Sequence, residues 1–133
     1  MTRTIDPVAE AFPALLAGLP KNTPIVMLNL LRFSPLAHYR DGVPRGSGRE
    51  AYARYAEVAL RKVREVGGTP IFLGAVQAGL ICPDGERWDD VLLVRYPSSD
   101  AFMAMLAMPD YLEATRHRSA ALDDARLIAT VET

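Results

Sequence analysis

The sequence predicts an α+β fold: a four-stranded antiparallel sheet with two helices on one face. Three observations predict it. Strand-like apolar runs and helical periods follow one another in the order strand, helix, strand, strand, helix, strand. The turn signal Pro83-Asp84-Gly85 joins the two middle strands into a hairpin. The strands place apolar residues in both registers, so neither face of the sheet reads as wet.

The elements run as follows. Residues 8 to 18 (VAEAFPALLAG) read as a short helix, weakened by Pro13 and ended by Gly18 and Pro20. Residues 1 to 20 are thus an N-terminal helical extension of a single domain covering residues 1 to 133. Residues 24 to 33 (PIVMLNLLRF) form the first strand, where Ile25, Met27 and Leu31 oppose Val26, Leu28 and Leu30. Residues 34 to 48 (SPLAHYRDGVPRGSG) carry two prolines, three glycines and no period. A loop this long is expected to have a job, such as a lid over a site.

Ser47-Gly48-Arg49-Glu50 is a capping box that opens the first core helix. The helix runs to about Val66, burying Tyr52, Tyr55 or Ala56, Ala59, Val63 and Val66, and Gly67-Gly68 stops it. Residues 69 to 82 (TPIFLGAVQAGLIC) form the second strand and residues 86 to 97 (ERWDDVLLVRYP) the third. Ser98 caps the next helix, whose apolar surface comes from Phe102, Met103, Met105, Leu106 and Met108. Pro109 breaks it, and a further helical turn or two carries Tyr111, Leu112 and Thr115. The last stretch, ARLIATVET, is the fourth strand.

This order is the split βαβ, or ferredoxin-like, arrangement. A sheet apolar on both faces with helices on only one needs a partner. The expectation is a symmetric homodimer with the two sheets packed face to face.

Composition excludes several classes. The net charge of −1 leaves no basic face for nucleic acid and no polybasic membrane clamp. No apolar run approaches the ~20 residues needed to span a bilayer. Asp6, Pro7, Glu10 and Pro13 interrupt any signal-peptide core, so a cytoplasmic protein is expected. Cys82 is the one cysteine, which rules out an intrachain disulfide and a Cys-x-x-Cys metal site. Its apolar neighbours mark it as an inert core thiol. There is no Gly-rich phosphate loop, Ser-His-Asp motif or His-x-x-x-His pair. Asp89 and Asp90 are strand neighbours and point to opposite faces, so they cannot act together. No metal and no cofactor are expected.

The pieces PIVMLNLLRF, GREAYARYAE, VREVGGTPIFLG, WDDVLLVRYPSSDAFMAML and PDYLEATRHRSAALDDARLIAT cover most of residues 24 to 130. In order and spacing they resemble the DUF1330 family, within the dimeric α/β-barrel superfamily. The resemblance implies a ferredoxin-like subunit and a dimer whose sheets form a barrel. The wider superfamily includes cofactor-free monooxygenases, haem-degrading enzymes, lactone isomerases and binding or sensing domains, so function must be sought in the site.

Asn29 is the first candidate. An amide within an apolar strand either binds a ligand in a pocket between sheet and helices or is a satisfied structural group. Arg32, on the opposite strand face, either clamps a carboxylate or pairs with Asp41, Asp89 or Asp90. Tyr52 and Tyr55 are core aromatics or pocket wall. Trp88 and Tyr96 share one face of the third strand; Trp88 lines a ligand or covers the dimer interface. Tyr111 and Arg118 lie in the second helical region, with Arg118 or Arg32 able to hold an acid group. His117, between two arginines, reads as part of a solvated cationic turn. His38, in the long loop, is the candidate general base if the loop closes over the pocket.

The expected function is therefore a small-molecule-binding homodimer. It would be a cofactor-independent enzyme, monooxygenase- or isomerase-like, acting on a small oxygenated substrate. The alternative is a non-catalytic binding or interaction module. Haem is a minor alternative that the resemblance raises. The haem-degrading members use an Asn on the first strand, a Trp on the third and a His on the second helix. Asn29 and Trp88 occupy those elements, but PSSDAFMAML holds no histidine and His117 comes too late.

Overall fold

Alternation in β1 (Ile25–Phe33) sets the layers of the molecule. In the computed structural model, which describes residues 2–133, Ile25, Met27 and Leu31 are buried on one face. Val26, Leu28 and Leu30 lie half-buried on the other. β1 is a central strand, antiparallel to both β3 (Asp90–Tyr96) and β4 (Leu122–Thr130). β2 (Thr69–Ala75) adds to the far side of β3, giving the order β2-β3-β1-β4. In the single chain this sheet is open.

The helices cover one face. α2 (Gly48–Glu65) and α4 (Pro109–Ala121) pack on each other, with the short α1 (Phe12–Ala17) and α3 (Ser99–Leu106) beside them. One core cluster joins Ile25, Met27, Val94 and Tyr96 of the sheet to Ala59, Val63, Phe102, Met105 and Tyr111. A second joins Leu31, Leu122 and Ala125 to Ala51, Ala120 and Ala121, and takes in Ala37 and Tyr39 of the long loop.

The caps act as their residue types require. Ser47 Oγ accepts from the Glu50 amide at 3.1 Å, and Glu50 Oε1 accepts from the Ser47 amide at 3.0 Å. That hydrogen bonding holds the Glu50 carboxyl below its ordinary value. Ser98 accepts from the Ala101 amide at 3.1 Å.

Several boundaries differ from the expectation, each for a structural reason. Pro13 and Pro109 sit in the first turns of α1 and α4, where a missing N–H costs nothing. So Pro109 opens a thirteen-residue helix, longer than a turn or two. β2 ends at Ala75 instead of running to Cys82. Val76 donates to the Asp89 carbonyl at 2.8 Å, and β3 itself begins only at Asp90. Residues 76–82 then run without regular structure, so Leu80, Ile81 and Cys82 are exposed. Cys82 is therefore a surface thiol, not a core one. Trp88 likewise falls outside β3. β4 starts earlier than expected, at Leu122, because its first residues pair with the end of β1 and with the N-terminal segment: Ala125 donates to the Thr4 carbonyl at 2.6 Å.

The long loop is packed down. Ala37 and Tyr39 are buried, and the His38 amide donates to the Ala120 carbonyl at 2.8 Å. The other sheet face carries no helix among the described residues. It presents Val26, Leu28, Leu30, Val91, Leu93, Phe72 and Ile128, with Phe72 54% and Ile128 49% exposed. No described helix is long and apolar enough to cross a membrane.

Candidate functional site

Asn29 stands at the centre of β1, opposite Leu92 on one side and Leu127 on the other. Strand parity places it on the helix-facing side with Met27 and Leu31. Its Nδ2 donates to the Leu92 carbonyl at 3.3 Å. The tyrosines form a row of edge-to-face contacts: Phe33–Tyr52 at 5.3 Å, Tyr52–Tyr55 at 5.3 Å and Tyr55–Tyr111 at 6.0 Å. The Tyr55 and Tyr111 hydroxyls bond each other at 2.8 Å. Tyr96 packs edge-on to Phe102 in the buried core. Burial pushes the phenols of Tyr52, Tyr96 and Tyr111 well up, so they stay protonated. Arg118 donates to the Ile5 carbonyl at 2.6 Å and ties down the N-terminal segment.

His38 is exposed, and its neighbour in sequence does the packing. The Tyr39 hydroxyl lies 2.6 Å from His117 Nδ1 and accepts from Arg54 Nη1 at 2.9 Å. An arginine only donates, so the phenol keeps its own proton available for Nδ1 of a neutral imidazole protonated on Nε2. His117 is thus a loop anchor, not part of a solvated turn. Burial first, then the charges of Arg116 and Arg54, pull it below its ordinary value, with Glu113 opposing and Arg45 adding slightly.

That shift has a sign. Above about pH 6.5 the imidazole is neutral in folded and unfolded chains alike. As pH falls below this, the unfolded chain takes up the proton first, and stability drops until pH passes the folded value. We expect the urea midpoint to fall between about pH 7.5 and 5.5, a window above the carboxylate range. The fall should shrink in His117→Gln; an unchanged slope in that variant counts against the assignment.

Two surface clefts stand out among the described residues, and neither is lined by Asn29 or the tyrosines. The smaller, about 300 Å³, includes Phe33, Arg49, Arg87 and Asp89 near the start of α2. Arg49 lies over the Phe33 ring at 4.6 Å. The larger, about 380 Å³, lies where β1 ends beside the start of β4, under the turn at 83–86. Arg3, Arg32, Asp84, Glu86 and Asp124 supply its charged lining.

Arg32 pairs with neither Asp41, Asp89 nor Asp90. Those carboxylates are engaged with Arg45, Arg87 and Arg49 respectively, and Asp89 also accepts from the Phe33 amide. The early start of β4 puts Asp124 opposite Arg32 in the strand register and Asp123 beside it. Arg32 Nε donates to Asp123 Oδ2 at 2.9 Å, and Arg3 pairs with the other oxygen of Asp123. Arg32 Nη2 remains 3.9 Å from Asp124 Oδ2, outside hydrogen-bond range.

Asp124 is fully buried. Its Oδ1 accepts from the Thr4 amide at 2.9 Å, the Ala125 amide at 2.9 Å and Arg126 Nη1 at 2.6 Å. Burial pushes this carboxyl up, but those donors outweigh it and hold it below its ordinary value, so it is ionised at neutral pH. Its Oδ2 is buried and has no hydrogen-bond partner among the described residues. Trp88 lies on the same side of the sheet, its ring 5.1 Å from the Arg126 guanidinium.

Of the predicted site residues, Tyr52, Tyr55 and Tyr111 are brought together as a packed row. Arg32 stands apart in the larger cleft. Trp88 is near it through Arg126, while Tyr96 and Arg118 have structural partners. Sequence reasoning missed Asp124, whose signal was only its place in an Asp123-Asp124 pair just before an apolar strand.

Sheet order and one-sided helices define a ferredoxin-like α+β protein. The same fold occurs in a dimeric protein of unknown function from Bacteroides fragilis, at 12% identity over 85% of this chain and 100% of that one, TM-score 0.52. A hydroxynitrile lyase from Passiflora edulis, at 8% identity over 84% and 95% of the two chains and TM-score 0.56, is likewise similar in fold alone. The chain belongs to the DUF1330 family, described as a domain of unknown function, whose model matches residues 46–131. It is similar over its whole length to the RPA0582 protein of unknown function from Rhodopseudomonas palustris. Two crystal structures of that protein, one of them methylated, superpose at 41% and 39% identity with TM-scores of 0.93 and 0.90. They cover 100% and 99% of this chain, and 97% and 98% of theirs. Among curated proteins there is no match.

Proposed function

We propose that this DUF1330 protein is a homodimer, packed sheet to sheet, that binds a small polar molecule in the cleft beside Arg32. One observation carries the binding reading. Arg32 commits only Nε, to Asp123, while both terminal nitrogens lack hydrogen-bond partners among the described residues. This guanidinium is only 13% exposed and ion-pairs with Asp123 and, at 3.9 Å, Asp124, but the N–H groups of its fork are unbonded and can take an acid group.

The homodimer reading rests on the uncovered apolar sheet face, which a second copy would bury. The binding role is favoured over a catalytic one. Asn29 already bonds the Leu92 carbonyl, the Tyr55 and Tyr111 hydroxyls bond each other, and His38 lines neither cleft.

The test is isothermal titration of the intact protein with small carboxylates and amino acids, repeated on Arg32→Met. Saturable binding that Arg32→Met weakens by about tenfold or more is the expected result. A wild-type protein that takes up no small acid of either kind removes the reading.

A further inference from the structure

Residues 77–88 leave the sheet after β2 and return to it before β3. Their base is fixed: the Val76 amide donates to the Asp89 carbonyl at 2.8 Å, and the Asp89 amide donates to the Leu31 carbonyl at 2.8 Å. The path between runs on the sheet face that carries no helix. Strand parity puts Arg32 and Arg126 on that face with Leu28, Leu30 and Ile128. The turn at 83–86 lines the larger cleft together with Arg32, and the Trp88 ring lies against Arg126. The chain doubles back at its tip, where a Cβ on Gly79 would sit 2.7 Å from Cys82 Sγ. That tip carries Leu80, 91% exposed, and Ile81, 99% exposed. No other large apolar residue among the described residues is as exposed.

Sheet edges are ordinarily guarded by charge. Here β2 is an edge strand, and no charged residue occurs from Thr69 through Pro83. Ile71, Phe72 and Leu73 of that strand are exposed as well, so the unguarded stretch leads straight into the tip. The sheet face alone also offers a second copy too little surface. A fully exposed apolar side chain gives about 60–120 Å². Five of the seven apolar side chains on the face are already half-buried within the subunit. Together they fall well short of the about 800 Å² that each partner gives to a stable interface. Packed sheets stand about 10 Å apart, so an element that rises on the facing side meets the second subunit.

We propose that residues 77–82 form an arm that reaches across the interface and seats Leu80 and Ile81 against a second copy of this chain. By two-fold symmetry each subunit gives one arm and receives one. This rests on the proposed sheet-to-sheet homodimer and adds to it a second region of contact. The occupant is another copy because the arm stands on the same side as the bare face. The axis that pairs the two faces therefore also brings each arm to the other subunit.

The experiment is sedimentation of the intact protein over a concentration series, beside the double variant Leu80→Ser/Ile81→Ser and the control Leu15→Ser. Serine removes apolar area without adding charge. Leu15 is 68% exposed on α1, on the helix side of the sheet. We expect the double variant to raise the dimer dissociation constant by about tenfold or more, and the control to leave it unchanged. Circular dichroism of both should match the wild type, because none of these side chains is buried in the subunit. A double variant that dimerises as tightly as the wild type overturns the arm and leaves the sheet-to-sheet dimer standing. A wild-type protein that stays monomeric overturns both. A wild-type tetramer that the double variant reduces to a dimer shows arms joining one dimer to another, and overturns the seat across the sheet interface.

Discussion

Gly48→Ala is expected to destabilise the protein by about 3 kcal/mol or more, at the upper end of overpacking costs. Gly48 is the first residue of α2 and is buried. A Cβ there would lie 2.2 Å from the Ser34 carbonyl oxygen, 2.5 Å from the Ala121 carbonyl oxygen and 2.9 Å from the Ser34 nitrogen. All three are backbone atoms, so no side chain can swing aside. They are also bonded to one another: Gly48 donates to the Ser34 carbonyl at 3.0 Å, and Ser34 donates to the Ala121 carbonyl at 2.8 Å. Any shift that admits the methyl group breaks this junction of β1, α2 and α4. Gly42→Ala is the control. Gly42 has φ +72° and nothing within 4 Å of its added Cβ, so only the left-handed backbone resists, at about 1 kcal/mol. Urea unfolding of the two variants checks this. A Gly48→Ala protein as stable as Gly42→Ala shows that the junction yields more easily than its geometry implies.

If the protein assembles as proposed, Leu28→Asp is expected to turn the sheet-to-sheet dimer into monomers, raising its dissociation constant by about 100-fold or more. Leu28 is central on the bare face, flanked in register by Leu93 of β3 and Ile128 of β4. In a sheet-to-sheet dimer a carboxylate there loses its water against the apolar residues directly opposite it, while the nearest cations, Arg95 and Arg126, stand diagonally across and are already paired with Glu132 and Asp124. Folding should survive, since the side chain points away from the core built on Met27 and Leu31. Sedimentation velocity reads the mass, and circular dichroism reads the fold. A wild-type protein that sediments as a monomer at micromolar concentration, or a Leu28→Asp dimer of unchanged mass, defeats the assembly.

Elements whose cause is local were legible in the sequence. Alternation in residues 25 to 31 assigned both faces of β1, and the Ser47/Glu50 pair marked the start of α2. Such signals need only neighbours a few residues apart. Where apolar composition alone was the guide, the reading ran too far. Leu80 and Ile81 look like strand, yet they have no partner strand because β3 begins only at Asp90. The apolar setting of Cys82 suggested burial for the same reason.

The candidate site was less legible, because its parts meet across long stretches of chain. Arg32 stood out as a basic residue at a strand end, but its partners lie 91 and 92 residues away and depend on where β4 enters the sheet. A start three residues later would have left Asp123 and Asp124 in a loop. Tyr39 and His117 are 78 residues apart, and nothing in Arg116-His117-Arg118 marks the middle residue as the one a loop tyrosine would bind.

The sequence by itself determined the order of elements, the family and the apolar character of both sheet faces. The order of elements and the apolar faces follow from side-chain periodicity and composition along the chain, and the family from the resemblance of its segments. The tertiary structure alone decided which carboxylates face Arg32, that one oxygen of Asp124 is buried without a hydrogen-bond donor, and that the Tyr55 and Tyr111 hydroxyls bond each other. The physical reason is that register and helix packing choose these pairs, and a strand entering one residue earlier or later would present the opposite set of side chains.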